Sequence, residues 1–220
     1  MSEDKIRKAK GFLFDFDGVL ADTMQDNFLA WERAFRDFRA EIKKEDYFVL
    51  EGLKLIGIAK TLGRKYNVPE EYFMEIVKLK NKYYLENHCF SFYPKIKELI
   101  DFLKEKKKSL AIVSASPKER LEKTVSEDFL RKFDIVLSEN DYEKGKPEPE
   151  PYLTAIKRLN LKPEECVVIE NAPLGIESAK SAGAYCIALT TTLSREYLSK
   201  ADVILNNHQE LFHYIRHEFF

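Results

Sequence analysis

Two carboxylates, Asp15 and Asp17, close a short apolar run, GFLFDFD at residues 11–17, in a chain of 220 residues. An apolar strand that ends in two acids is costly unless a cation or hydrogen bonds compensate them. Magnesium suits such a pair, because it is hard, takes oxygen ligands and keeps water while binding phosphates. One carboxylate can then attack an electrophile while the other moves a proton. Gly18 follows directly and gives the backbone freedom to turn the second acid toward the pocket of the first. The plainer alternative is that both are strand-end and turn residues.

Three further polar groups follow apolar runs. Ser114, with Ala115 and Ser116, succeeds LAIV and precedes Pro117, a residue suited to the start of a helix. Its hydroxyl and the amides at that helix start could hold phosphate oxygens, or it could simply cap the helix. Lys146 stands between Gly145 and Pro147 in the loop EKGKPEPEPY. Fixed there, its point charge can offset both a nucleophilic carboxylate and an incoming phosphate. Glu170 and Asn171 end CVVIE and precede APLG. Glu170 can ligate magnesium or orient its water, and Asn171 offers a neutral amide oxygen; loop capping is the alternative role for Asn171.

Hydrophobic periodicity along the chain defines the elements that must position these groups. From Thr23 to about Phe38, apolar positions recur at three and four residues, the period of an amphipathic helix. Helical patterns continue over 45–50, 52–66 and 69–89, and no strand is expected between Asp22 and Phe92. Beyond Pro94 the pattern alternates helix with apolar strand: 95–106 and SLAIVSA, 117–131 and FDIVLS, 149–160 and CVVIE, 173–182 and YCIAL, then ADVIL. Continuous apolar strands separated by helices predict an α/β fold, a doubly wound, Rossmann-like parallel sheet covered on both faces. The expected division is a core of residues 1–21 and 94–220 with an inserted helical cap at 22–93. Ligands of such sheets bind beyond the carboxyl ends of the strands, where all four polar groups fall.

Composition narrows the function classes. Thirty-six Lys and Arg against 37 Asp and Glu give a net charge of −1 with the signs interspersed, so no nucleic-acid partner is expected. The three cysteines, Cys89, Cys166 and Cys186, lack the spacing of a zinc or redox motif. The charged start MSEDKIRKAKG runs into an apolar stretch too short for a membrane span, which predicts a cytoplasmic protein without a membrane partner. A monomer or weak homo-oligomer is expected.

The segment Asp15-Phe-Asp17-Gly-Val-Leu-Ala-Asp22 resembles the first motif of the haloacid-dehalogenase superfamily. Ser114, Gly-Lys146-Pro and Glu170-Asn171-Ala-Pro-Leu-Gly175 resemble its other three, in the expected order. The resemblance spans nearly the whole chain, and the helical insert is similar to the cap of the β-phosphoglucomutase and phosphoglycolate-phosphatase branch. It implies that Asp15 attacks phosphorus to form an aspartyl-phosphate, while Asp17 protonates the leaving oxygen and then activates water. It also implies Mg2+ held by the Asp15 carboxylate, the Asp17 carbonyl and the Glu170–Asn171 loop, with Ser114 and Lys146 on the phosphoryl oxygens. Three positions depart from the pattern: Asn171 stands for an aspartate, Tyr93-Pro94-Lys95 for YPG, and Glu150 for the aspartate of KPxPD.

The function so implied is hydrolysis of a small phosphorylated metabolite, with Thr23, Asn27, Lys54 and Lys60 as cap-side contacts beside Ser114, Ala115, Ser116 and Lys146. The nearest enzyme alternative is a sugar-phosphate mutase of the β-phosphoglucomutase kind. Against it, Asn27 and Leu55 stand where that branch has a histidine and an arginine. A non-catalytic phosphate-binding or interaction protein is the alternative from another class, and Asn171 is its best support.

Overall fold

The computed structural model describes residues 9–220; the part of the expected core at residues 1–8, like the reading of the N-terminus, lies outside them. The apolar run at the start becomes β1 (Gly11–Phe14), followed by four helices: α1 (Met24–Arg36), α2 (Lys44–Phe48), α3 (Leu55–Lys65) and α4 (Phe73–Asn87). Helix and strand then alternate through α5 (Ile96–Glu105), β2 (Ser109–Val113), α6 (Lys118–Thr124), α7 (Glu127–Leu130) and β3 (Ile135–Leu137). The chain ends with α8 (Glu150–Arg158), β4 (Cys166–Glu170), α9 (Pro173–Ser181), β5 (Tyr185–Leu189), β6 (Val203–Leu205) and α10 (His208–Glu218).

The six strands form one sheet in the order β3-β2-β1-β4-β5-β6, every pair parallel. Pleating sends Phe12 and Phe14 to one face, where α5 and α10 cover them, and Leu13 to the other, where it meets Val168 and the residues of α8 and α9. The strands therefore read as unbroken apolar runs because both faces are buried. Phe14 of β1 lies opposite Ile112 of β2 and Ile169 of β4, so Asp15, Ser114 and Asn171 issue from adjacent strand ends.

The four helices after β1 pack on a hydrophobic cluster of their own, with Trp31, Phe35, Ile58, Leu62 and Ile76 at its centre. The two crossings between this unit and the sheet meet in a bridge between Ala21 and Phe92.

Differences from the sequence expectation have local causes. The helix expected over 117–131 is broken at Val125, whose φ of −121° and ψ of 142° are extended, and Ser126 starts α7. The helix expected from residue 52 begins at Leu55, because Gly52 has φ +97°. α10 was not anticipated at all, although Asn207 caps it by accepting the Glu210 amide and Leu211, Ile215 and Phe219 face the core at helical spacing.

Candidate active site

At the end of β1, Asp15 sits between the sheet and the loop that carries Lys146. Lys146 Nζ donates to Asp15 Oδ1 at 2.6 Å and to Glu170 Oε1 at 2.6 Å, and its side chain is fully buried. Tyr152 of α8 donates to the same Glu170 oxygen at 2.6 Å. Glu170 Oε2 accepts the Asn171 amide at 3.0 Å and the Ala172 amide at 3.4 Å, where α9 begins. Glu170 can reach these amides because Gly175 has no side chain: a Cβ there would lie 1.9 Å from Glu170 Oε1. The Lys146 loop is folded by Glu150, which accepts the amides of Glu143 and Lys144 at 2.7 and 2.8 Å. The glutamate that departs from the family pattern thus has a structural task of its own.

Asp17 turns into a second cluster. Its Oδ1 accepts from Thr23 Oγ1 at 2.5 Å and Asn27 Nδ2 at 2.9 Å; its Oδ2 accepts from Ser116 Oγ at 3.0 Å and Arg120 at 2.6 Å. Asn27 Oδ1 in turn accepts from Lys80 Nζ at 2.7 Å and Arg120 at 2.5 Å, tying α1 and α4 to α6 of the core. Glu51, buried nearby, is held by the Tyr47 hydroxyl at 2.6 Å.

Among the described residues every buried Asp, Glu, Lys and Arg belongs to one of these clusters: Asp15, Asp17, Glu51 and Glu170 against Lys80, Arg120 and Lys146. Burial pushes the Asp15 carboxyl well above the usual carboxylate range, and Lys146 only partly opposes that push. Burial acts in the same direction on Asp17, but the Arg120 guanidinium, the Thr23 hydroxyl and Lys80 overcome it and hold Asp17 below its ordinary value. Lys80 is pushed well below a normal lysine by burial and by Arg120. Lys146 alone therefore does not offset the burial of Asp15, whereas Arg120 and its neighbours do offset that of Asp17.

The residues present fit a hard divalent ion. Asn171 Oδ1 is buried with no hydrogen-bond partner, while its Nδ2 is held by Thr192 Oγ1 at 2.8 Å. Gly18, at φ +85°, admits this amide: a Cβ would lie 2.0 Å from Asn171 Nδ2. The Asp17 carbonyl accepts no backbone hydrogen bond among the described residues. Those oxygens, with the Asp15 carboxylate, make a set suited to Mg2+ with water and phosphate completing it. No group of three His, Cys, Asp or Glu side chains that could hold a metal occurs among the described residues. Glu170, expected beside the ion, has both oxygens committed to Lys146, Tyr152 and the turn amides.

The sequence-derived residues gather in these two places with two exceptions. Ser114 is buried: its Oγ accepts the Ser116 amide at 3.1 Å, and its carbonyl accepts from the Tyr142 hydroxyl at 2.9 Å. Ala115 lies buried between the two serines. Lys54 rests against Gly145 and donates to the Tyr142 carbonyl at 2.7 Å, next to the loop but outside both clusters. Lys60 is exposed on α3 and makes no hydrogen bond or ion pair among the described residues. Arg120, Lys80, Glu51, Tyr152 and Thr192 were not singled out from the sequence. Only the apolar setting of Lys80 on α4 was noticeable there.

A parallel α/β sheet with a buried acid pair, a lysine and an amide turn at adjacent strand ends is an architecture for hydrolytic group transfer at phosphorus or carbon. Residues 12–189, more than half of the chain, match the family model of haloacid dehalogenase-like hydrolases. The chain belongs to this family. It is 32% identical over 186 residues to the phosphorylated carbohydrates phosphatase of Thermotoga maritima, covering 78% of this chain and 80% of that one. It is 37% identical over 115 residues to the validoxylamine A 7'-phosphate phosphatase of Streptomyces hygroscopicus, covering 52% of this chain and 54% of that protein, about half its length. The crystal structure of β-phosphoglucomutase from Clostridium difficile superposes with a TM-score of 0.81 at 26% identity, over 96% of each chain. Among the described residues no helix is long and apolar enough to cross a membrane.

Proposed function

We propose that this hydrolase is a Mg2+-dependent phosphatase that releases inorganic phosphate from a small phosphorylated metabolite through an aspartyl-phosphate on Asp15. The observation that carries the reading is the division of labour between the two acids. Asp15 meets the Lys146 ammonium, and Asp17 is surrounded by hydroxyl, amide and guanidinium donors.

The Asp15 carboxylate attacks phosphorus and the ester P–O bond breaks. Asp17 gives its proton to the departing oxygen, and as a carboxylate it then takes a proton from the water that cleaves the aspartyl-phosphate. All four contacts to Asp17 are donors here, so this geometry is that of the base. The Ser116 hydroxyl can rotate to accept when Asp17 carries the proton. Lys146 neutralises the nucleophile and meets a phosphoryl oxygen, while Ser114 and the amides after it line the neighbouring strand end. Bound Mg2+, held by the Asp15 carboxylate, the Asp17 carbonyl and Asn171 Oδ1, would offset phosphoryl charge. The unit at 22–93 acts as the cap: its Gly52 sits where a Cβ would lie 3.2 Å from Lys146 Cδ, closing the site from above.

Hydrolysis is favoured over mutase chemistry by two positions. Leu55 is buried in the cap's apolar cluster and offers no phosphate clamp, and Asn27 is spent on Asp17, Lys80 and Arg120. Phosphate release from a panel of phosphomonoesters with and without Mg2+ tests the proposal. Asp15→Asn should abolish turnover with the fold retained, and near-parent activity of that variant would defeat it. Efficient conversion of β-glucose 1-phosphate to glucose 6-phosphate without phosphate release would replace hydrolysis by isomerisation.

A further inference from the structure

Three consecutive threonines follow β5, and each bonds a different strand end. The Thr190 amide donates to the Leu205 carbonyl at 3.1 Å, fixing the loop to β6. Thr191 Oγ1 donates to the Gly18 carbonyl at 2.6 Å, in the turn after β1. Thr192 Oγ1 accepts from Asn171 Nδ2 at 2.8 Å, in the turn after β4. Leu193 then packs against the apolar clusters of both the sheet and the cap. The loop is thereby anchored on both sides of the hydroxyl that meets Asn171.

A side-chain amide has one end that ligates a cation and one that repels it, and a half-turn exchanges them with almost no change of shape. Asn171 is fully buried, so solvent serves neither end. Its Nδ2 has one acceptor among the described residues, the Thr192 hydroxyl, and Gly18 leaves room for it: a Cβ there would lie 2.0 Å from Nδ2. With the nitrogen so engaged, Oδ1 is left without a partner. A buried carbonyl oxygen without a donor is costly, and a hard cation relieves that cost. A carboxylate at the same position would need no such orientation, because its two oxygens are equivalent, and the hydroxyl that accepts from an amide could donate to it instead. Thr192 therefore matters to the asparagine of this chain in a way it would not to an aspartate.

We infer that Thr192 is a positioning residue for the metal site: by accepting from Nδ2, its hydroxyl sets the orientation of the Asn171 amide and leaves Oδ1 free to ligate the divalent cation. This rests on the Mg2+ reading of the site and adds to it a residue from the loop after β5, outside all four motifs.

The test titrates Mg2+ calorimetrically into the full chain, in the parent, Thr192→Val, Thr192→Ser, Asn171→Asp and the double variant Thr192→Val/Asn171→Asp, with thermal melting to show that each is folded. Valine keeps the shape and removes the acceptor, so Thr192→Val should weaken Mg2+ binding by about tenfold, the lower end of what losing a residue that orients a metal ligand costs. Thr192→Ser, which keeps the hydroxyl, should bind as the parent does. In the Asn171→Asp background the valine should leave affinity nearly unaltered, a dependence on residue 171 that mere bracing of the loop would not produce. Parent affinity in folded Thr192→Val, or an equal loss in both backgrounds, overturns the inference and leaves the Mg2+ site in place. If Thr192→Val does not fold, Thr192→Ala makes the same comparison. A parent that binds no Mg2+ removes the metal reading and this inference with it.

Discussion

Replacing Gly175 by alanine tests the site without altering one charge. The added Cβ would lie 1.9 Å from Glu170 Oε1 and 2.1 Å from its Cδ, well inside any van der Waals contact. Glu170 cannot step aside freely, since Lys146 and Tyr152 hold that oxygen at 2.6 Å each. Either α9 is pushed back, an overpacking cost of about 1–3 kcal/mol, or Glu170 turns away and loses charge-assisted bonds worth about 1.5–3 kcal/mol each. A loss of about 3 kcal/mol lowers the midpoint of a chain this size by roughly 6–12 °C. Released from Glu170, Lys146 no longer meets Asp15 in register, and a misplacement of ~1 Å costs on the order of 100-fold in turnover.

The assay pairs thermal melting with Mg2+-dependent release of p-nitrophenol from its phosphate, and Gly57→Ala is the control. A Cβ at Gly57, within α3, meets its nearest neighbour at an ordinary 3.6 Å. That change should raise stability by about 0.5–1 kcal/mol through helix propensity and leave turnover alone. Gly175→Ala with parent kcat/KM and a midpoint within a degree of the parent would refute the role given to Glu170 as the anchor of Lys146.

Asn171→Asp should tighten Mg2+ binding by about tenfold, near 1.4 kcal/mol, by placing a carboxylate where the orphaned Oδ1 stands; isothermal titration showing no change in a folded variant would remove Asn171 from the ion. Lys95 adopts φ +69° at the position where the family has glycine. Lys95→Gly should therefore gain about 1 kcal/mol, or ~2–4 °C in melting midpoint, less the small exposed ion pair with Glu98; a lower midpoint would count against strain there. His208 is buried on the Val19 carbonyl, and burial holds its imidazole below the ordinary histidine value of 6.5. The neutral ring is then favoured in the fold, so stability is full above about pH 6.5 and falls as the unfolded chain takes up the proton below it, by at most 1.4 kcal/mol per pH unit. Denaturant titrations across pH 5 to 7.5 should show this slope in the parent and a shallower one in His208→Asn.

The sheet was legible because its strands are buried on both faces and so appear as apolar blocks of fixed length. CVVIE and YCIAL coincide with β4 and β5 to the residue. Boundaries failed where a backbone conformation intervened that the side-chain pattern does not encode. Val125 continues the apolar period of α6 yet is extended, and Gly52 leaves the helix at positive φ. α10 was passed over although its cap and its apolar spacing were both in the sequence, because its charged residues mask a narrow buried stripe.

The site divides along the same line. Asp15, Asp17, Ser114, Lys146 and Glu170 were legible because each ends an apolar strand or sits in a constrained loop, and strand ends converge in a parallel sheet whatever the side chains. Arg120 was not legible. It lies in KERLEKT, where lysines and glutamates make every position look solvated, and charged residues in such a setting are usually exposed. Its guanidinium is nonetheless buried, because Tyr84 of α4 covers it at 4.7 Å. Its partner Asp17 is 103 positions away. Asp17 draws its donors from Thr23 and α1, the serine turn and α6, so its surroundings depend on how the helical unit docks against the sheet. Sequence patterns report burial within an element; the polarity of a seam between two units depends on both. The residues that surround Asp17, the general acid–base of the proposed mechanism, consequently belong to the part of the molecule that only the assembled fold brings together.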